Sequence, residues 1–312
     1  MKVGVIIPLH APQQGPNVLA PTYAQVREVA LTAEREGLDS AWITDHLIFR
    51  MPPDFVDRAS HEAFTIWAGI AEATSRIELG AMVLCTAFRN PTVMVKEAVS
   101  LDAVAGHRII LGVGCGWHEP EFKAFGIPFT HRVSMFEEAM SIIRPLLRDG
   151  AVTFHGQHYR AEDCVLVPPD DRPGGIPILI ASKQPRMMEL TARFADQWNT
   201  AWWGNVDGYS DAAAKQDAAC ERIGRDPATL IKTAGVMVDF AAEVPAADSY
   251  DPARVVKGPV EHVAEKLRTY ADAGCAHAIC FLVGLTPEKT EMLAAASRMA
   301  GLTAVDKTAT VS

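Results

Sequence analysis

The chain has 312 residues, 49% of them hydrophobic, which is enough for one large domain with a substantial core. Its formal net charge of −9 argues against a nucleic acid or an anionic membrane surface as the main partner. The six cysteines form no C-x-x-C pair and no zinc-like grouping, so we interpret them as reduced thiols of a cytoplasmic protein. No apolar run is long enough for a signal peptide at the N-terminus or for a membrane span elsewhere.

Short apolar runs alternate with amphipathic segments through the first half of the chain. The stretch "VGVIIP" predicts a buried strand, and "TYAQVREVALTAEREG" predicts a helix that stops at Gly37. The same alternation gives strands at "SAWIT", "IELGAMVL" and "HRIILGVGCG". Helices are predicted between them at "SHEAFTIWAGIAEATS" and "NPTVMVKEAVSLDAVAG", the second with Pro91 in its first turn.

The second half repeats the alternation after one interruption. The segment at about 151–170, "VTFHGQHYRAEDCVLVPP", predicts a hairpin or extended insertion between the fourth and fifth strands. Strands then follow at "IPILIAS", "DQWNTAWW", "LIKTAGVMVDF" and "HAICFLVG", each with a helix after it. About eight β/α units predict a (β/α)8 TIM barrel, with a doubly wound sheet as the alternative. We expect a single domain over residues 1–312 with a loose C-terminal tail.

Polar side chains follow several of these strands. Asp45 and His46 come directly after the second strand, and His10 follows the first. In a parallel barrel the chemistry lies at the carboxyl ends of the strands, so the Asp-His pair is predicted at the barrel mouth. The alternative is that His46 is a satisfied core histidine at a strand end.

Two further motifs have more than one interpretation. The glycines of "GVGCGW" (Gly112, Gly114, Gly116) are a weak dinucleotide fingerprint; they indicate either tight packing at a strand end or close approach of a flat ring. In "IASKQPRMMEL" a strand ends and a helix begins near Pro185, so its first-turn amides and Lys183 favour an anion site, although an ordinary connection has the same pattern. We expect no catalytic metal, because no second His or acidic cluster matches Asp45 and His46.

Several segments together are similar to one family. The ordered set "WITDHL", "SRIELGAMVLCTAFRNP", "GHRIILGVGCGWHEPEFKAFGIPF", "TFHGQHYRAED" and "VEHVAEKLRTYADAGCAHAICFL" resembles the bacterial luciferase-like superfamily, and most closely its deazaflavin (F420)-dependent oxidoreductases. The resemblance implies a TIM barrel that holds a flavin or deazaflavin at its C-terminal mouth. It implies hydride transfer from the reduced cofactor or, in flavin members, activation of O2.

The resemblance also implies roles for particular residues. His46 would be catalytic and face the cofactor ring and the reacting group, while Asp45 would contact the cofactor or orient His46. A cis peptide at Met82-Val83 would form a bulge behind the ring, and Gly114 and Cys115 would lie beside the cofactor.

Two segments of the second half match further family elements. Ala181, Ser182, Lys183 and Gln184 match the phosphate-binding turn, although the family usually has more glycine there. Asp196, Trp198 and Asn199 match the family's "ADGWN" element, with Gln197 in place of its glycine.

Three functions follow from this resemblance as expectations. The first is an oxidoreductase that uses reduced F420 for hydride transfer to or from a small, largely apolar organic substrate. The second is an FMNH2-dependent monooxygenase supplied by a separate reductase, and the third is a non-catalytic flavin-binding paralogue. We also expect a homodimer. The apolar substrate is suggested by aromatic residues expected at the mouth: Phe49, Trp67, Trp117, Trp202 and Trp203. The alternative is that some of these tryptophans pack between the barrel and its helices.

Overall fold

A computed structural model describes residues 1–12, 18–51, 55–240 and 254–302. The strands of these residues are β1 (Lys2–Ile7), β2 (Ser40–Ile43), β3 (Glu78–Ala81), β4 (Leu84–Cys85), β5 (Ile109–Gly114), β6 (Ala151–His155), β7 (Arg160–Val165), β8 (Ile178–Ala181), β9 (Gln197–Ala201), β10 (Ile231–Asp239), β11 (Val255–Lys257) and β12 (His277–Leu282). The helices are α1 (Tyr23–Arg35), α2 (Ala63–Ala73), α3 (Pro91–Ala105), α4 (Glu119–Ala124), α5 (Arg132–Asp149), α6 (Pro185–Phe194), α7 (Val206–Arg222), α8 (Val260–Asp272) and α9 (Pro287–Met299).

Eight parallel strands close into a barrel, as the alternating pattern predicts. Their order is β1, β2, β3, β5, β8, β9, β10 and β12, and β12 pairs with β1 to close the ring. The predicted insertion is an antiparallel hairpin of β6 and β7, which lies in the chain between the fourth and fifth barrel strands. The expected loose tail lies outside the described residues.

The ends of the helices follow from local sequence. Thr22 and Gln25 form a reciprocal capping box at the start of α1, which satisfies amides that have no partner within the helix. Asn90 accepts a bond from the amide of Thr92 at the start of α3, where Pro91 is the first helical residue. These caps fix where each strand-to-helix loop ends, and so they help to position the barrel mouth.

The barrel interior is filled by large apolar side chains. Ile6, Trp42, Ile110, Leu179 and Ile279 form an inner cluster that is separate from the larger core between the barrel and its helices. Further apolar side chains pack on this cluster toward the mouth: Met82, Val83, Trp202 and Phe281. The lumen is therefore a packed core and provides a floor for whatever binds at the mouth.

The third barrel strand is interrupted at its end. The peptide between Met82 and Val83 is cis, as the family resemblance implies, and β4 then pairs with β5. A Cβ on Gly112 would overlap the carbonyl oxygen of Ala81, and one on Gly114 would lie 2.8 Å from Val83 Cγ2. Close packing against the bulge thus requires both glycines, which supports the first of the two interpretations of "GVGCGW".

Candidate active site at the barrel mouth

A cavity of about 270 Å³ opens at the C-terminal mouth. Seven predicted site residues line it: Asp45, His46, Met82, Val83, Ala181, Ser182 and Lys183. Three others are not part of the lining: Cys115 and Gln184 are adjacent in sequence to lining residues, and Gly114 lies two residues before Gly116. The structure therefore brings residues from the second, third and fifth barrel strands to one place, and the role of each of them stays a prediction.

His46 is bonded to a carboxylate that the sequence patterns did not indicate. Its Nδ1 lies 3.2 and 3.3 Å from the two carboxylate oxygens of Glu121, and the amide of Leu47 donates to one of them at 3.0 Å. The Glu121 side chain is only 2% exposed, whereas that of His46 is 12% exposed and borders the cavity. His46 is therefore neither isolated nor sealed in the core.

Asp45 makes its bonds on the other side of the second strand's end. It accepts two bonds from the Arg89 guanidinium, at 2.7 and 3.1 Å, and one from the amide of Cys85 at 2.9 Å. Burial alone would lower the pKa of Arg89, but its bonds to Asp45 and Glu62 raise it above the ordinary value. The Asp45 carboxylate thus fixes the end of β4 near the bulge, and Glu121 is the carboxylate bonded to His46.

Two other histidines lie near His46, and burial favours the neutral form of both. The His10 ring centroid is 5.3 Å from that of His46, and its Nδ1 lies 2.8 Å from the carbonyl oxygen of Ala11, to which it must donate. Burial, and then the charge of His46, lower the pKa of His10 to about 4. His118 accepts the amide of Arg50 at its Nε2, and burial lowers its pKa too. Of these three rings, His46 is the one bonded to a carboxylate.

The opposite end of the cavity carries a cation at the start of α6. The Lys183 amine lies 4.6 Å from the centre of the Trp203 ring, and burial followed by the nearby charge of Arg254 lowers its pKa. Gln184 caps α6 without a side-chain bond to the first-turn amides. Arg186 points elsewhere, because it pairs with Glu137 at 2.9 Å. Lys183 and the first turn of α6 are the features there that suit an anion.

Two side chains on the cavity wall differ in how well their polar atoms are paired. The Ser182 hydroxyl lies 2.9 Å from that of Thr191 and accepts a bond from the Trp198 indole at 3.0 Å. Asn199 donates from its amide nitrogen to Thr233 at 2.9 Å, whereas its Oδ1 has no partner among the described residues. The Ser182 hydroxyl is thus bonded within the protein, whereas the Oδ1 atom of Asn199 can still accept a hydrogen bond.

The aromatic residues expected at the mouth divide into two groups. Trp117 and Trp202 line the cavity, as expected. Trp67 does not: it is fully buried in α2 and belongs to the core between helices and barrel. Phe49 is buried and stacks on His10 with ring centroids 4.3 Å apart, while Trp203 lies under Lys183. Trp67 lies on the face of α2 that packs against the barrel wall, so the expectation that it lines the mouth was wrong.

A second cavity of about 590 Å³ adjoins the first at the ends of β1 and β12. Apolar side chains dominate its lining, with Val26 and Val29 of α1 on one side and Phe281 and Leu282 on the other. Its described lining contains no Asp, Glu, Lys or Arg. His10 lines this cavity and contacts the His46 ring, so the two cavities are separated by little more than side chains.

The described part of the chain has neither a metal-binding cluster nor a membrane-spanning helix. Within it, no group of three or more His, Cys, Asp or Glu side chains could hold a metal ion. None of the helices described is both long and apolar enough to cross a membrane.

Comparison with known proteins adds family and fold. Residues 1–250 match the family described as luciferase-like monooxygenase. The chain is 29% identical over 221 residues to an F420-dependent glucose-6-phosphate dehydrogenase of Kineococcus radiotolerans, a match that covers 69% of this chain and 64% of the relative. It is 28% identical over 249 residues to pyrimidine monooxygenase RutA of Escherichia coli, covering 74% of this chain and 66% of RutA. The chain thus spans slightly less than two thirds of the length of these relatives.

A solved structure has the same fold over nearly the whole chain. It is an F420-dependent secondary alcohol dehydrogenase in complex with an F420-acetone adduct, with a TM-score of 0.78 and 18% sequence identity. The likeness covers 96% of this chain and 98% of the other. At this identity the likeness establishes the barrel fold and leaves the substrate open.

Proposed function

Because the chain belongs to the family of luciferase-like monooxygenases, we propose that it is an oxidoreductase that uses reduced F420 for hydride transfer. The substrate in this proposal is a small, largely apolar organic molecule that either accepts the hydride or donates it. The chain is an enzyme of the luciferase-like family, and it is similar both to an F420-dependent dehydrogenase and to a monooxygenase. The observation that supports the proposal most is the His46–Glu121 pair at the wall of the mouth cavity.

The residues around the cavity fit a flat heteroaromatic cofactor with an anionic chain. The unpaired Oδ1 of Asn199 suits a ring that donates a hydrogen bond, and Lys183 with the first turn of α6 suits a phosphate. Met82 and Val83 form an apolar surface on the barrel core for the ring. When bound there, reduced F420 supplies a hydride, and the protein supplies orientation and electrostatics.

His46 is the group we assign to proton transfer. Glu121 holds the ring at Nδ1, which leaves Nε2 for the substrate oxygen. The Glu121 carboxylate fixes the orientation of the imidazole, so the ring can pass a proton through Nε2. A general acid of this kind contributes about 10²- to 10⁴-fold to a rate. In the reverse direction the neutral ring takes the proton from an alcohol.

The second cavity supports a largely apolar substrate. Its lining carries no charged side chain in the described residues, so a phosphorylated sugar would have no cation to pair with there. The Kineococcus radiotolerans relative is by name a dehydrogenase of glucose 6-phosphate. The expected result is that turnover with F420 occurs with neutral alcohols or ketones and not with sugar phosphates.

A second candidate is an FMNH2-dependent monooxygenase, which the similarity to RutA favours. The same cavity would then hold FMN, since Lys183 and the first turn of α6 suit a single phosphate as well. This candidate requires a separate reductase to supply reduced flavin. The reductase and the expected homodimer stay predictions.

Equilibrium titration of the purified protein with F420 and with FMN tests the cofactor. We expect F420 to bind more tightly, and FMN binding at least tenfold tighter, about 1.4 kcal/mol, would reject the assignment. Oxidation of the reduced cofactor, followed with and without O2, separates the reaction classes. Hydride transfer proceeds anaerobically with an organic acceptor, whereas a monooxygenase forms product only with O2.

A further inference from the structure

We propose that Asn199 is a ligand-recognition residue whose side-chain oxygen accepts a hydrogen bond from the imide N–H of the bound cofactor ring. This inference rests on the proposed function, since it concerns the same cavity. It starts from the buried Oδ1 of Asn199, which has no hydrogen-bond partner among the described residues. A buried polar atom without a partner is costly, so native proteins rarely retain one unless a ligand or water completes it.

The orientation of the Asn199 amide is fixed by its neighbour Thr233. The Thr233 hydroxyl donates its one hydrogen to the carbonyl oxygen of Trp198 at 2.9 Å. The Thr233 oxygen can therefore only accept, and it does so from Asn199 Nδ2 at 2.9 Å. If the Asn199 amide were flipped, its Oδ1 would face the hydroxyl oxygen of Thr233, and neither oxygen would have a hydrogen to donate to the other. The network thus keeps Nδ2 on Thr233 and leaves Oδ1 free to accept.

The location of Asn199 relates that acceptor to the cofactor cavity. Asn199 lies in β9, pairs with Ala181 at the end of β8, and is one of the residues that line the cavity. His46 and Glu121 lie on the same cavity's wall, and so does Lys183. A ring bound among these residues therefore has Asn199 as a neighbour.

The ligand must contribute a donor at this position. The pyrimidinedione part of both F420 and FMN has one N–H between two carbonyl groups, so an oxygen acceptor recognises either. A hydroxyl on the side chain of the cofactor offers the same donor chemistry. A cofactor that is methylated at the imide nitrogen separates these two sources of the hydrogen bond. The contact selects for the ring and does not distinguish between the two cofactors.

The test measures affinity, not turnover. F420 and FMN are titrated against wild type and against Asn199→Leu, which keeps the side chain's shape and removes the acceptor. We expect about tenfold weaker binding of whichever cofactor binds wild type, equivalent to about 1.4 kcal/mol. Gln216→Leu is the matched control, because its Oε1 is likewise buried without a partner among the described residues but belongs to α7 and does not line the cavity; it should change affinity less than twofold.

Two additions keep the test decisive. Thr233→Val leaves Asn199 in place and releases its amide, so about threefold weaker binding is expected even if Asn199→Leu does not fold. The 3-methyl derivative of the cofactor that binds should bind wild type and Asn199→Leu equally weakly if the imide is the donor; if the variant still weakens it tenfold, the imide is not the donor.

The outcomes separate this inference from the proposed function. If folded Asn199→Leu binds the cofactor within twofold of Gln216→Leu, water completes Oδ1; that result overturns the inference and leaves the proposed function standing. Failure of wild type to bind either F420 or FMN would overturn both.

Discussion

Two histidines at opposite ends of the barrel show how position and partner decide what such a residue can do. His277 begins β12, is 3% exposed, and lies 2.7 Å from the hydroxyl of Ser40 at the start of β2. The same hydroxyl accepts the indole of Trp42. His46 follows the other end of β2, borders a cavity, and bonds to Glu121.

The difference between them is electrostatic. Burial, and then the positive charge of Lys2, lower the pKa of His277 to about 3, so it stays neutral in the folded protein. A neutral, enclosed ring with a hydroxyl partner serves packing. A ring beside a carboxylate and a cavity is able to exchange a proton with a ligand. His46 is therefore placed for chemistry at the mouth, whereas His277 contributes to packing at the opposite end of the barrel.

The largest effect is expected for the buried ion pair that supports the mouth. Arg89→Met leaves the 1%-exposed Asp45 carboxylate without its cation and should cost about 3 kcal/mol or more of unfolding free energy. Lys2→Met breaks the exposed pair with Glu78 at the opposite end and should cost less than about 1 kcal/mol. Urea unfolding at neutral pH measures both.

A double variant sharpens this result. Asp45→Asn combined with Arg89→Met removes both charges, so it should lose less than the sum of the two single variants. Additive losses, or an Arg89→Met loss no larger than that of Lys2→Met, would contradict a supporting role for the pair.

A pH effect on stability is expected at the opposite end of the barrel. The unfolded chain protonates His277 near pH 6.5, whereas the folded protein resists protonation to about pH 3. Acid therefore favours the unfolded state, and stability is lost as pH falls below about 6.5. Between pH 7 and pH 5 this single group costs about 2 kcal/mol.

Urea unfolding of wild type and His277→Asn at both pH values measures that contribution. The variant should be less stable at pH 7, because it loses packing, yet it should lose about 2 kcal/mol less than wild type on acidification. An identical pH dependence in the two proteins would show that His277 is not held neutral by the fold.

A smaller effect is expected at the cationic end of the mouth. Lys183→Glu should weaken cofactor binding about tenfold, since it reverses the charge beside the first turn of α6. Wild-type binding should also weaken in high salt because the lysine is exposed. Lys215→Glu makes the same charge change on an exposed face of α7 and should leave affinity unchanged. Equal affinities of the two variants would place the phosphate elsewhere.

The fold was readable from sequence because it rests on local periodicity. Buried parallel strands such as β1 and β5 are continuous apolar runs, and the amphipathic helices between them end at glycines or begin at prolines. The pattern also located the β6–β7 hairpin, which breaks the period. The break in β3 had no periodic signal and came only from the family resemblance.

The site was only partly readable, because its contacts join distant segments. Glu121 is 75 residues from His46, on the short helix α4 after the fourth barrel strand. The available signal was topological: α4 must begin at the same mouth as His46. Side-chain orientation was not available either: Thr191 and Trp198 hold the Ser182 hydroxyl, and a phosphate contact of the turn at Ser182 stays a prediction.

We propose that His46 is the histidine of the barrel that transfers a proton. Measuring both the steady-state turnover and the cofactor affinity of His46→Ala tests this role most directly. With reduced F420 and a neutral ketone as acceptor, turnover should fall at least about a hundredfold while cofactor affinity stays within a few-fold of wild type. His277→Asn, at the opposite end of the barrel, should retain turnover per folded molecule. Full activity in folded His46→Ala would contradict the account, and so would loss of cofactor binding in step with activity, which would make His46 a binding group.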